Sequence, residues 1–131
     1  MTRLLLILPI LFEAISEGLY LHGDKVWSKQ IQILLIASWF LIAYVYATET
    51  HYSNLPRLKL LGKYILLYVL FRVILFNYMH NLSAGLPLDY IGTVSFVDRI
   101  VVLVSFGQLW FIGLFQVICG VLAYNVMKGK L

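Results

Sequence analysis

The chain reads as an all-α integral membrane protein, a four-transmembrane-helix antiparallel bundle with both termini cytoplasmic. Three observations predict this. Of the 131 residues, 62% are hydrophobic and only 12% are charged; with a mean hydropathy of +0.90, that lies outside the range of soluble globular chains. Apolar runs approaching the ~20 residues that a span requires cover residues 4–21, 31–48, 61–80 and 100–126. The runs are too continuous for barrel strands, and lipid requires each segment to pair its own backbone groups, so helices follow. One domain accounts for residues 1–131.

Basic residues orient the spans. Arg3, then Arg57, Lys59 and Lys63 of the second loop, then Lys128 and Lys130 fall on one side, whereas Lys25, Lys29 and Arg99 fall on the other. Six against three places the termini and the second loop in the cytoplasm, for a plasma or inner membrane location. The net charge of +4 is dispersed over loops and ends, which excludes a nucleic-acid footprint. Cys119 is the single cysteine; it allows no intrachain disulfide or thiolate cluster and reads as a small buried or lipid-facing residue.

The first run has the basic start and apolar core of a signal peptide, but it continues through Glu13 and Glu17 without a small-x-small cleavage site. It reads as an uncleaved first span, kinked or interrupted at Pro9. Residues 22–30 form a short outer loop that forces an antiparallel hairpin, with Trp27 as an interfacial anchor. Span two carries Trp39, Tyr44 and Tyr46 and ends on Glu49 and His51, read as solvated interfacial groups. Arg57, Lys59 and Lys63 make a small basic patch suited to anionic headgroups. The outer loop over residues 80–96 is the longest connection and the richest in turn formers, the kind of segment on which sites are built. Span four, from Val97 to about Met127, exceeds what a bilayer needs and so tilts or begins outside it. Asp98 in its first turn favours the helix dipole.

Arg72 stands near the middle of span three. A guanidinium there costs roughly 2.5–3.5 kcal/mol on insertion scales, so it must face a partner or a wet cavity. Glu13 lies ten residues after Arg3, and Arg72 nine after Lys63. At ~1.5 Å per residue both reach similar depth and can meet. Glu17 is one turn beyond Glu13 on the same face. Asn77, His80, Asn81, Asp98, Arg99 and Gln108 complete a polar set in the outer half of the bundle, above an inner half that is nearly all apolar apart from Ser38, Gln116 and the interfacial ends.

If Glu13 pairs with Arg72, Glu17 stays available as a general acid or base, with His80 as its counterpart and Asp98 beside them. Those three are the candidate catalytic residues. Glu13, Arg72, Asn77, Asn81, Arg99 and Gln108 are the candidate headgroup-binding residues, arginine being suited to grip phosphate with two prongs. Glu17, His80 and Asp98 come nearest to a metal set, but the Glu-x-x-His and His-Glu-x-x-His patterns are absent, so no metal is expected. Nothing resembles a phosphate loop, a dinucleotide fingerprint or a nucleophile elbow, and no cofactor is expected.

The run Arg72-x-x-x-Phe76-Asn77-x-x-x-Asn81, then Asp89-Tyr90-Ile91-Gly92-x-x-Ser95-x-x-Asp98, with Phe12-Glu13-Ala14-Ile15-Ser16-Glu17-Gly18 in the first helix, resembles a pattern in uncharacterised small four-span membrane proteins. More distantly, the gathering of polar residues towards one membrane face is similar to that of the VanZ-like, lipid-associated proteins of the lipocone superfamily. That resemblance implies lipid-headgroup chemistry. The leading expectation is therefore a membrane protein that binds, and in its fuller form modifies, a lipid or lipid-linked phosphate headgroup, with membrane lipids as partners. A second is a non-enzymatic accessory or assembly subunit of a larger membrane complex, for which 15% aromatic content and small loops speak. The third is an ion- or proton-conducting or holin-like homo-oligomer, disfavoured for a monomer because one polar half makes no continuous path.

Overall fold

The computed structural model describes residues 2–52, 55–88, 90, 99, 103 and 108–129. Among these the regular structure is helical throughout. A 3₁₀ segment, Thr2–Leu6, leads into α1 (Ile7–His22); α2 (Lys25–Tyr52), α3 (Arg57–Ala84) and α4 (Leu109–Met127) follow. Pro9 is the third residue of α1 and fully buried. In a first turn its missing N–H costs nothing, so the helix begins around it rather than kinking at it.

The turn from α1 to α2 is tighter than the predicted loop over residues 22–30. Gly23 adopts a left-handed φ of 95°, and the Asp24 N–H closes back onto Leu19 O at 2.9 Å. This glycine-dependent end reverses the chain within a residue or two. Helix α2 therefore starts at Lys25 and takes Trp27 and Ser28 into its first turn. The same device ends α3, with Gly85 at φ 69° and Leu86 N–H on Asn81 O at 2.9 Å. In the fourth apolar run, Gln108 is extended (φ −91°, ψ 119°), and α4 begins only after it. The run read as one span from Val97 is thus interrupted at Gln108.

Helix α1 is central. It packs against α2 on one side and α3 on the other, and α4 packs on α3. Ile10 and Ala14 of α1, Leu60, Leu67 and Phe71 of α3, and Cys119, Ala123 and Val126 of α4 join in one buried cluster. The α1–α3 contact depends on small residues. A Cβ at Gly18 would run into Ser83 Oγ and lie 2.6 Å from His80 O and 2.9 Å from Ala84 N. Since two of those atoms are backbone, no side-chain shift relieves the clash, and the spacing Ala14-x-x-x-Gly18 is what lets the helices approach. Ser83 adds a hydrogen bond to Ala14 O at 3.3 Å. On its other flank α1 meets α2 through Ser16, whose hydroxyl bonds Ser28 Oγ and Ser28 O, both at 3.1 Å.

Among the described residues, three helices are long and apolar enough to cross a membrane: Arg3–His22, Lys25–Tyr52 and Trp110–Met127. Their length and composition fit a membrane location. Helix α3 matches α2 in length at 28 residues, but it is not among the three. It carries Arg57, Lys59, Lys63 and Arg72.

Candidate functional site

With α1 and α3 held together at Gly18, Glu13 and Arg72 meet one turn away. Arg72 Nη1 pairs with Glu13 Oε2, and the side chains keep only 17% and 27% of their exposure. Tyr68, one turn before Arg72, completes a triangle: its hydroxyl donates to Glu13 Oε2 at 3.3 Å and accepts from Arg72 Nη1 at 3.3 Å. Both donors thus converge on the same carboxylate oxygen. The guanidinium also lies over the Phe76 ring, 4.2 Å from its centroid, a cation–π contact that offsets part of its desolvation.

The polar chain continues along α3. Phe76 stacks on His80 with ring centroids 5.9 Å apart, and His80 Nδ1 lies 3.3 Å from Asn81 Oδ1. Asn81 is 2% exposed; its Nδ2 donates to Tyr90 O at 2.6 Å and Leu88 O at 3.3 Å. It fastens the segment after α3 to the helix end.

The structure therefore joins Glu13, Arg72, His80 and Asn81 in one continuous set of contacts. Glu17 is exposed one turn beyond Glu13, Asn77 is half-buried beside Phe76, and Arg99 is exposed on a helical residue. Gln108 is exposed at the start of α4, where its backbone oxygen accepts from Phe111 N–H at 3.0 Å and Ile112 N–H at 3.3 Å. No described contact joins the side chains of Asn77 or Gln108 to the set. Asp98, together with Asp89, Gly92 and Ser95 of the motif, lies outside the described residues.

Two participants escape a sequence-only reading. Tyr68 looks like core aromatic filling, and the signal that marks it is its place one turn from Arg72 on the same face. The other is a second cluster at the opposite end of α1. Arg3 Nη2 pairs with Glu49 Oε1 at 2.6 Å, and Tyr64 OH donates to Glu49 Oε2 at 2.5 Å. Glu49 is not the solvated interfacial group expected above. Arg3 and Tyr64 stand at its level on neighbouring elements and draw it inward, leaving its side chain 24% exposed.

Between the two clusters lies an apolar cavity of about 280 Å³. Trp39, Ile42, Ala43 and Tyr46 of α2 form one wall, Leu61, Tyr64, Ile65 and Tyr68 of α3 the other, with Leu6 at its base. Ring pairs mark its ends: Trp39 with Tyr68 at 5.3 Å, and Tyr46 with Tyr64 at 5.4 Å. Tyr68 thus presents its ring to the cavity and its hydroxyl to the Glu13–Arg72 pair. No protein-family model, curated protein or solved structure matches the chain.

Proposed function

We propose that the chain is a four-span antiparallel membrane protein with both termini cytoplasmic, and that the Glu13–Tyr68–Arg72 cluster is the floor of an outer-half pocket that binds a lipid or lipid-linked phosphate headgroup. The observation that carries this reading is an arginine, paired but not engulfed, in contact with the hydroxyl of Tyr68, whose ring lines an apolar cavity. A phosphate in exchange with Glu13 would meet the two-pronged donor geometry it favours. Modification of the headgroup would fall to Glu17 as acid or base and His80 as its counterpart, with Asn81 holding the adjacent segment in place.

The test is co-purification of lipid, read by mass spectrometry of the detergent-extracted protein. Arg72→Ala and Glu17→Gln are expected to lower the amount of lipid retained, with helix content by circular dichroism unchanged. Arg72→Lys keeps the charge but loses the fork, and an intermediate level is expected. Full lipid retention by both Arg72→Ala and Glu17→Gln would remove the site. A second reading, an accessory subunit, is favoured by α2, which leaves Ile33, Phe40 and Tyr44 about 70% exposed. A larger protein co-purifying in fixed proportion would replace the first reading with that one.

A further inference from the structure

We propose that the groove between α2 and α3 seats one hydrocarbon chain of an anionic phospholipid, with the lipid phosphate at Arg57. This site does not rest on the headgroup reading above, because it opens at the end of the groove away from Arg72.

Its shape selects the occupant. Both helices pack on α1 and stand apart from each other at the backbone level, leaving the apolar cavity of about 280 Å³. Trp39 and Tyr46, which mark its ends, are seven residues apart, ~10 Å along a helix. Spread over that length, about 280 Å³ corresponds to a cross-section of roughly 27 Å², far below that of an α-helix ~10–12 Å in diameter. A slot of this width seats a single extended chain better than a whole helix. Ala43, Leu61 and Ile65 on the rim are all exposed, so the chain can enter sideways.

Charge selects the headgroup. At the Tyr46 end, Arg57 opens α3 one turn before Leu61 and is exposed, as is Lys59, with Lys63 half-buried a turn on. The Tyr46 hydroxyl donates to Arg57 O at 3.2 Å, which ties this basic turn to the groove mouth. Pro56 precedes α3 without a side-chain cap, so the first-turn N–H groups and the positive end of the helix dipole face the same place. The carboxylate at this end, Glu49, is already held by Arg3 and Tyr64. An apolar slot ending in a basic turn whose charge has no acidic side chain beside it among the described residues complements an acyl chain ending in a net anionic phosphate.

The test is native mass spectrometry of the full chain in mild detergent, titrated with phosphatidylglycerol or phosphatidylcholine of equal chain length. The unmodified protein is expected to retain one phosphatidylglycerol at roughly tenfold lower concentration than phosphatidylcholine. Ala43→Phe, which fills the groove, is expected to weaken both; Arg57→Gln should bring phosphatidylglycerol down to the phosphatidylcholine level, and Arg57→Lys should recover part of the difference. A phosphatidylglycerol carrying a photoreactive group on its chain tests the unmodified protein directly and should label α2 near Ala43 and α3 near Ile65. Equal retention of the two lipids, indifference to Ala43→Phe, labelling elsewhere, or cross-links only to a second copy of the chain would each overturn the proposal.

Discussion

The two polar clusters use the same parts to different ends. Each contains one carboxylate, one arginine and one α3 tyrosine, with an α2 aromatic against that tyrosine: Glu13, Arg72, Tyr68 and Trp39 at one end, Glu49, Arg3, Tyr64 and Tyr46 at the other. Side-chain exposure is nearly the same, 17% and 27% against 20% and 24%. Burial therefore does not distinguish them. Position along the elements does: Arg3 lies in the 3₁₀ segment and Glu49 in the last turn of α2, whereas Glu13 and Arg72 have helix on both sides. The bonding differs too. Glu49 gives one oxygen to each donor, but Glu13 receives both donors on Oε2. Glu49 has both oxygens engaged, one by each donor, whereas among the described contacts Glu13 engages only Oε2.

Removing each carboxylate tests that contrast most severely. Glu13→Ala strands the Arg72 guanidinium in mid-helix, and a loss of about 3 kcal/mol is expected, the low end for breaking a buried pair because some exposure remains. Glu49→Ala frees Arg3 to turn towards water, so about 1 kcal/mol is expected. Denaturant unfolding in micelles measures both, and equal losses would erase the distinction.

Gly18→Val acts on one cluster without touching a charge. The new side chain meets backbone of α3, and overpacking of this kind costs about 1–3 kcal/mol. The expected outcome is separation of α1 from α3 near Glu13 while the Arg3–Glu49 pair persists. Spin labels on α1 and α3 at each end would read the two separations, and a uniform widening would contradict the prediction.

Part of this contrast is legible without coordinates. Counting helical rise from the basic ends brings Glu13 level with Arg72, and their ion pair forms. The same count in reverse would have brought Glu49 level with Arg3, but residues at the ends of apolar runs look solvated, and nothing local marks them as paired. Tyr68 and Tyr64 are hidden for a different reason: in a stretch as aromatic as α3, a tyrosine whose hydroxyl bonds a carboxylate has the same pattern as one that fills space. The start of α4 after Gln108 has only a weak sign: Gly107 precedes it, but the run stays apolar on both sides, and a glycine there reads as a close-packing position as readily as a boundary. The short turn at Gly23 had one too, a glycine followed by aspartate, masked by the polar residues with which α2 begins.

The smallest predicted effect is also the finest discriminator, because it compares two hydroxyls on one helix. Tyr64 is 5% exposed and donates to a carboxylate at 2.5 Å, the short charge-assisted geometry that makes strong hydrogen bonds. Tyr68 makes two contacts, both at 3.3 Å, and its partners already satisfy each other through the ion pair. Tyr64→Phe should therefore cost about 1.5 kcal/mol, as for a hydrogen bond to a charged group, and Tyr68→Phe about 0.5 kcal/mol, the low end of the range, because its contacts are long and its charged partners already bond each other. Both substitutions keep the ring, so the walls of the apolar cavity and the contacts to Trp39 and Tyr46 survive, and the difference isolates the hydroxyls. If Tyr68→Phe proved the costlier, Tyr68 rather than the ion pair would be the keystone of the Glu13 cluster. The carboxylate would then be as firmly committed to structure there as it is at Glu49.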